Sequence, residues 1–414
     1  MVETVKVNTS NKTTYISGSV KTVLKNNIRQ YAMLIALFTA MIIFQIATKG
    51  IFLKPMNVTN LILQNSYVLI LAIGMTLCIL TGGNIDLSVG SVCAFIGGIV
   101  GTLIINMKMD VWLAILIAIM AGALIGVWQG FWIAYVRIPA FIVTLSGMLV
   151  FRGLTNTLLK GLTLAPFPES FVKLSSGYIP DFSDVMGINI KVKDININIT
   201  ALVVGILASV IYVFLENKKR SEKKKYEMYI IPLPLFIAQL VFVVAAINVF
   251  FFYLAIHKGV PIILAIITVL LIGYSILTMK TVPGRYIYAM GGNEKAAKLS
   301  GINTNKVLFL TYVNMSVLAA IAGIAFTARS DAASPVAGVN FELDAIAACF
   351  IGGASAYGGV GTVIGAVIGA LFMGVLNNGM SSLGVGSDWQ MTIKGLVLLA
   401  AVAFDVISKS RAKA

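Results

Sequence analysis

The chain has 414 residues, of which 58% are hydrophobic and only 11% are charged. That balance excludes a soluble globular protein, because such proteins carry about 25% charged residues. The polar stretches are each too short to bury an enzymatic core of their own: 1–30, 160–198, 217–228 and 280–306. The composition therefore predicts an all-α, polytopic transmembrane helical bundle, and any energy-converting domain must belong to another chain.

Apolar runs recur along the whole sequence, and a membrane helix needs about 20 such residues to cross a hydrocarbon core of about 30 Å. We predict about twelve spans, at 31–53, 60–80, 87–106, 111–135, 140–159, 199–216, 229–256, 260–279, 307–328, 343–357, 361–380 and 388–407.

The net charge of +15 is a topology signal in a membrane protein rather than a nucleic-acid footprint. A cytoplasmic N-terminus would place most Lys and Arg residues inside, in 1–30, 135–139, 217–228, 280–306 and 408–414. We therefore predict a multi-pass protein of the cell (inner) membrane with both termini in the cytoplasm, and no nucleic-acid partner. The basic run 218–225 is either a solvated loop or a site of attraction to membrane lipid.

The spans and polar segments divide the chain into five predicted regions. They are a cytoplasmic tail (1–30), a first transmembrane half (31–216), a basic loop with an inserted helix pair (217–279), a cytoplasmic coupling segment (280–306), and a second transmembrane half with a short tail (307–414).

Two apolar runs carry glycines at four-residue spacing, which suggests an internal repeat. The glycines are Gly122, Gly126 and Gly130 in the first half, and Gly361, Gly365 and Gly369 in the second. Under the predicted topology the two helices run in opposite directions, so the halves would be inverted copies, as in many transporters. The alternative is that small residues at this spacing only allow helices to pack closely.

Polar interruptions at 81–88 and 340–344 predict broken helices. Asp86 and Asp344 would each accept hydrogen bonds from the free N–H groups that begin the next helix. These breaks could also line a central cavity. Lys394 lies a few residues inside its run, where it could line the path or simply extend outward to the interface.

The sequence gives no support to catalysis or to a metal site: the only histidine, His257, has no neighbouring acid or cysteine, and there is no phosphate-binding loop motif. Neutral polar side chains in the apolar runs instead suit a hydroxylated, uncharged cargo, because amides both donate and accept hydrogen bonds. We predict that the transport path is lined by Gln64, Asn84, Asp86, Gln129, Asn314, Asn377 and Asn378. For each one, a bond between helices is the alternative role.

A short helix with signals at both ends is predicted at 294–299. Asn293 can cap it, Glu294 lies in its first turn, Lys298 lies near its end and Gly301 follows it. Two turns are not stable by propensity alone, so this helix needs a surface on which to dock. That surface is either a cytoplasmic protein or the bilayer.

Several dispersed motifs resemble the permease subunits of ribose-, galactose- and xylose-type sugar ABC importers. They lie at 86–91, 151–153, 291–301, 342–348, 358–362, 377–379 and 389–390. The extra residues 219–279 are similar to those of xylose or multiple-monosaccharide permeases, and the C-terminal motifs at 377–380 and 394–400 look closest to the latter.

The resemblance implies a permease homodimer that receives a monosaccharide from an extracytoplasmic sugar-binding protein. An ABC ATPase subunit would bind ATP and Mg, so this chain would hold no cofactor. The ATPase would grip the coupling segment through Gly291, Gly292, Asn293, Glu294, Lys295, Ala296, Ala297, Leu299 and Gly301. Two alternatives stay open: an ABC permease for another small solute, such as an autoinducer, a nucleoside or a branched-chain amino acid, and a secondary carrier that works alone.

Overall fold

The computed structural model describes residues 28–182, 191–192, 195–226, 230 and 232–413. The predictions for residues 1–27, for residues 227–229 of the basic loop and for residue 414 concern residues outside the described ranges. Apart from two paired two-residue strands, β1 (Lys191–Val192) and β2 (Ile195–Asn196), the regular elements described are helices.

The helices of the first half lie in chain order as α1 (Ile28–Ala47), α2 (Pro55–Gln64), α3 (Ser66–Leu80), α4 (Val89–Gly101, continued by a π-helical turn Thr102–Asn106), α5 (Val111–Ala134), α6 (Ala140–Leu159) and α7 (Glu169–Ser176). Those that follow are α8 (Ile199–Lys225), α9 (Leu233–His257), α10 (Ile262–Lys280), α11 (Val282–Gly292), α12 (Glu294–Leu299), α13 (Thr304–Ser330), α14 (Phe341–Ile351), α15 (Val363–Ser382) and α16 (Ser387–Lys413).

The prediction of a polytopic helical bundle is confirmed, but one of the predicted spans is too short to cross a membrane. Within the described ranges, nine helices are long and apolar enough to cross a membrane, or ten if α2 and α3, which meet at a 45° bend, form one broken span. The predicted span 343–357 is a helix of only 11 residues, α14. Its last residue is Ile351, Gly352 follows as the C-cap, and Gly353 then takes a positive φ of 84°.

The chain divides into two compact units. The first contains Lys54–Thr59 and Ile179–Val260, with the α8–α9 hairpin as its main feature. Gly205 of α8 lies against the side chain of Phe251, and Asn248 Nδ2 of α9 donates a hydrogen bond to Ser209 Oγ at 2.8 Å. Helix α10, which was predicted to pair with α9, belongs to the second unit. The predicted domain boundaries stay predictions.

The second unit is built around α3. All fifteen residues of this helix are buried, which is the pattern of a helix that is apolar on every side. It packs against α13, where Gly74 faces Met315 and Leu318. The unit contains Met33–Leu53, Asn60–Tyr178 and the chain from Pro261 onward, and it holds the polar groups considered below.

The first glycine row brings α5 into backbone contact with α13. A Cβ atom at Gly126 would lie 2.6 Å from Val313 Cα, and one at Gly122 would lie 2.6 Å from Ala320 Cβ. A Cβ atom at Gly130 would lie 3.0 Å from the Phe309 carbonyl oxygen. The row therefore sets how closely these two helices approach.

The second glycine row differs from its prediction. Gly361 does not share a helix with the other two, because α15 begins at Val363, and Gly361 lies in the preceding loop with φ 147°. Gly365 and Gly369 pack against carbonyl oxygens at the end of α14, those of Gly352 and Ala348. An inverted relation between the two halves stays a prediction.

We expect Gly126→Ala to lower the thermal stability of the purified chain. The new Cβ would meet Val313 Cα, a main-chain atom that cannot move away as the end of a side chain could. Overpacking of this kind costs about 1–3 kcal/mol. The control is Gly153→Ala in α6, where a Cβ meets no described atom within 4 Å and helix propensity alone favours alanine. Equal melting temperatures for the two variants would contradict the prediction.

Candidate functional site

The short capped helix lies where it was predicted. Asn293 is extended, with φ −159°, and its side-chain oxygen accepts a hydrogen bond from Ala296 N at 3.0 Å. Helix α12 then runs from Glu294 to Leu299, and Gly301 follows it with φ 85°. The prediction of its bounds and its cap is confirmed, and α11 precedes it directly, so the two form one coupling segment.

Most of α12 faces solvent. Ala297 is its one buried residue, while Leu299 is 89% exposed. Lys295, Ala296 and Lys298 are exposed as well. A leucine held at the tip of a polar helix, flanked by cations, has the character of a contact residue for a partner.

A polar contact links α12 to the loop between α5 and α6. Arg137 Nη1 lies 2.8 Å from Glu294 Oε1, and its Nη2 also donates to the Asn305 side chain. The hydrogen bond from the Arg137 guanidinium lowers the pKa of Glu294. Both side chains are more than 40% exposed, so this pair orients α12 more than it stabilises it. Sequence reasoning missed Arg137, although it is the only basic residue in its loop.

At Gly291 the end of α11 makes close main-chain contact with the rest of the second unit. A Cβ atom at Gly291 would lie 1.7 Å from the Leu80 carbonyl oxygen and 2.6 Å from Gly359 N. Gly359 N itself donates to that same Leu80 oxygen at 3.0 Å. The coupling segment thus meets both the end of α3 and the loop between α14 and α15, with no side chain between them.

Further contacts tie these three segments together. Tyr288 of α11 donates from its hydroxyl group to the Gly361 carbonyl oxygen at 2.7 Å. Gly83, in the break after α3, faces the Ala356 carbonyl oxygen so closely that a Cβ atom would lie 2.1 Å from it. We call this meeting of α11, residues 81–83 and residues 356–361 the glycine joint.

The break between α3 and α4 holds a buried polar chain. Asp86 Oδ1 accepts hydrogen bonds from Ser88 N at 2.8 Å and from Ser88 Oγ at 2.7 Å. Gln129 Nε2 of α5 donates to the same hydroxyl group at 2.7 Å. Two predicted path residues, Asp86 and Gln129, are thus joined through Ser88, which the prediction omitted. Asn84 bonds only locally, to Thr81.

A second buried cluster surrounds Asp344 in the first turn of α14. Lys394 Nζ of α16 lies 3.0 Å from Asp344 Oδ1, and Tyr67 donates from its hydroxyl group to Oδ2 at 3.0 Å. Asn377 Nδ2 of α15 donates to Oδ2 at 3.3 Å. The structure corrects the expectation that Asp344 caps its helix, because Asp344 binds side chains instead, and Lys394 points inward, with 15% of its side chain exposed.

The other predicted path residues fall in two places. Asn377 also donates to Asn65 Oδ1 at 3.2 Å, and next to it Asn378 donates to Gln64 Oε1 at 3.2 Å, so both lie at the bend between α2 and α3. Asn314 lies apart from these groups, where it accepts a hydrogen bond from the Tyr274 hydroxyl group. The seven candidates therefore do not form one continuous lining.

The groups of this site are arranged as in a membrane transport protein rather than as in an enzyme. Its buried carboxylates are bonded to hydroxyl, amide and ammonium groups, and an ion pair inside a membrane bundle marks a functional element by default. Its exposed helix is joined to two broken helices by main-chain contact. These features define the class as a polytopic membrane permease.

Comparison with known proteins assigns the family. Residues 57–402 match the family model of the branched-chain amino acid transport system / permease component, and the chain belongs to this family.

Its relatives include the xylose transport system permease proteins XylH of Haemophilus influenzae and Escherichia coli. The first is 39% identical over 386 residues, covering 93% of this chain and 98% of that protein. The second is 34% identical over 395 residues, covering 95% and 96%. The ribose import permease protein RbsC of Escherichia coli is 35% identical over 349 residues, covering 84% and 85%.

The resemblance to sugar permeases is confirmed by these relatives, while the special likeness to multiple-monosaccharide permeases stays a prediction. No solved structure matches the chain.

Proposed function

We propose that the chain is the membrane-spanning permease subunit of an ATP-binding-cassette importer that carries a monosaccharide into the cytoplasm. The observation that carries this proposal is the glycine joint, because close main-chain contacts at Gly291 and Gly83 connect an exposed docking helix to the breaks of the bundle. Relatives that span nearly the whole chain and move xylose or ribose support a pentose as the cargo.

The proposed mechanism needs three partners. An extracytoplasmic sugar-binding protein delivers the cargo, a second copy of the chain completes the path, and an ATPase subunit binds ATP and Mg. Closure of the ATPase pair would push α12, and the glycine joint would pass that displacement to α3 and to the 356–361 loop. The bundle would then alternate between outward and inward access. Both termini lie in the cytoplasm in this scheme, as the charge distribution favours.

Deletion of the gene that encodes this chain, in the organism it comes from, tests the proposal. ATP-dependent uptake of labelled xylose or ribose is expected to be lost and to return when the full chain is supplied again. Labelled leucine is tested in parallel because the family model is described for branched-chain amino acid systems. Loss of leucine uptake with intact sugar uptake would reassign the cargo. Uptake that an ion gradient drives without ATP would exclude the ABC mechanism.

We expect Leu299→Asp to weaken copurification of the ATPase subunit with the tagged chain. The side chain is 89% exposed, so the substitution removes a contact without disturbing the core of the chain. The control is Leu162→Asp, a leucine that is 66% exposed in the loop after α6 and far along the chain from α12. Equal ATPase recovery with both variants would remove α12 from the docking surface.

A further inference from the structure

A cavity of about 500 Å³ lies in the second unit between α10, α11 and α13. Its wall is mostly hydrocarbon and includes Leu77, Leu277, Ile287, Val307 and Leu310. Leu77 is almost fully buried, whereas Leu310 is 51% exposed, so the cavity reaches from the core of the unit to its surface. Its volume is typical of a small-molecule site.

This cavity does not suit a sugar. A monosaccharide presents hydroxyl groups on every side and needs several donors and acceptors around it. Five of the eleven lining residues carry polar side chains, but those of Asn303, Thr311 and Asn314 already make hydrogen bonds within the chain. Of the seven predicted path residues, only Asn314 belongs to the wall. The Asp86 and Asp344 clusters contribute no residue to it. Hydrocarbon is the chemistry that matches such a wall.

The charge beside the cavity has one sign. Lys306, in the first turn of α13, lines it with an exposed ammonium group that has no hydrogen bond or ion pair within the described part of the chain. Lys280 and Arg285 are exposed on the neighbouring elements α10 and α11. Glu294 is the only carboxylate between residues 262 and 314, and it is already paired with Arg137.

We propose that this cavity binds an anionic phospholipid, with one acyl chain against the apolar wall and the phosphate at Lys306. Basic pockets between membrane helices on the cytoplasmic side are suited to such headgroups, and the proposed topology puts Lys306 on that side. Ile287 and Tyr286 of α11 form part of the wall, so the lipid would fill the space between the coupling segment and α13. The proposal rests on the proposed orientation, but not on the identity of the cargo.

Native mass spectrometry of the delipidated full-length chain tests this site, with phosphatidylglycerol and phosphatidylcholine as probes. Phosphatidylglycerol is expected to remain bound at lower concentration than phosphatidylcholine. Lys306→Gln should remove that preference. Lys298→Gln, at an exposed lysine of α12 that does not line the cavity, should keep it.

A second variant tests the acyl-chain part of the site. Leu310→Trp fills the exposed end of the cavity and should reduce retention of both lipids, whereas Leu149→Trp, at a leucine of α6 that is 66% exposed, should not. Equal binding of the two lipids by the unaltered chain, unchanged preference in Lys306→Gln, or displacement of the lipid by inorganic phosphate would each overturn the proposal. Because binding is read as mass, these outcomes do not depend on whether the chain transports a sugar.

Discussion

Gly291→Ala is expected to reduce ATP-driven uptake by about tenfold or more, because small displacements of a working geometry have effects of this order. The new methyl group would lie 1.7 Å from the Leu80 carbonyl oxygen, so the end of α11 must move away from α3. The ATPase should still dock, since α12 itself is unchanged. The expected signature is ATP hydrolysis that continues without sugar movement, measured in proteoliposomes that contain the complete importer.

Gly292→Ala is the matched control for this experiment. It makes the same chemical change one residue further along, at a position where a Cβ meets no atom of the described residues within 4 Å. Neither glycine has a positive φ in the structure, so alanine is compatible with both backbones. Both glycines also belong to the segment that the ATPase is expected to grip, so recovery of the ATPase with the tagged chain is measured for each variant. Equal loss of uptake with equal ATPase recovery would mean that the glycine joint does not transmit the motion.

Asp344→Asn is expected to destabilise the chain strongly. It leaves the Lys394 ammonium group inside the bundle without a counter-charge, and removing one partner of a buried ion pair costs about 3–5 kcal/mol. The Tyr67 hydroxyl group and Asn377 Nδ2 would also lose their charged acceptor. Thermal unfolding of the purified chain measures the effect, and Asp388→Asn, at an exposed carboxylate in the first turn of α16, serves as the control.

The double variant Asp344→Asn with Lys394→Met separates stability from function. Removing both charges leaves no uncompensated ion, so much of the lost stability should return, and the double-mutant cycle gives the coupling energy of the pair. We expect uptake to stay low even when stability returns, because the pair joins α14 to α16. Melting temperatures that add independently would show that the two charges do not interact.

The elements that depend on local chemistry could be predicted from the sequence. The cap at Asn293 and the bounds of α12 were correct because a capping side chain acts over three residues. The predicted span 343–357 was wrong because hydropathy does not distinguish a full span from a half-helix such as α14, whose last residue is Ile351.

Contacts between distant residues could not be predicted in this way. Asp344 and Lys394 are 50 positions apart, and Tyr67 is 277 positions from Asp344, so no periodicity relates them. Charge balance within the membrane was the available signal, and it predicts only that Lys394 has a carboxylate partner, not that the partner is Asp344. In the same way, nothing in the sequence distinguishes Gly291, which touches Leu80, from its neighbour Gly292, which is open.

The main-chain contact at Gly291 also bears on which parts of a permease of this family can change in sequence. A side chain can yield to a displacement by changing its rotamer, whereas two peptide groups in van der Waals contact cannot. The contact between Gly291 and Leu80 therefore passes a displacement on rigidly. The exposed residues of α12 are free of that restriction, because Ala297 is the one buried residue of this helix. If α12 docks an ATPase subunit as proposed, changes confined to that exposed surface would alter which ATPase binds, while the contact between Gly291 and Leu80 stays the same.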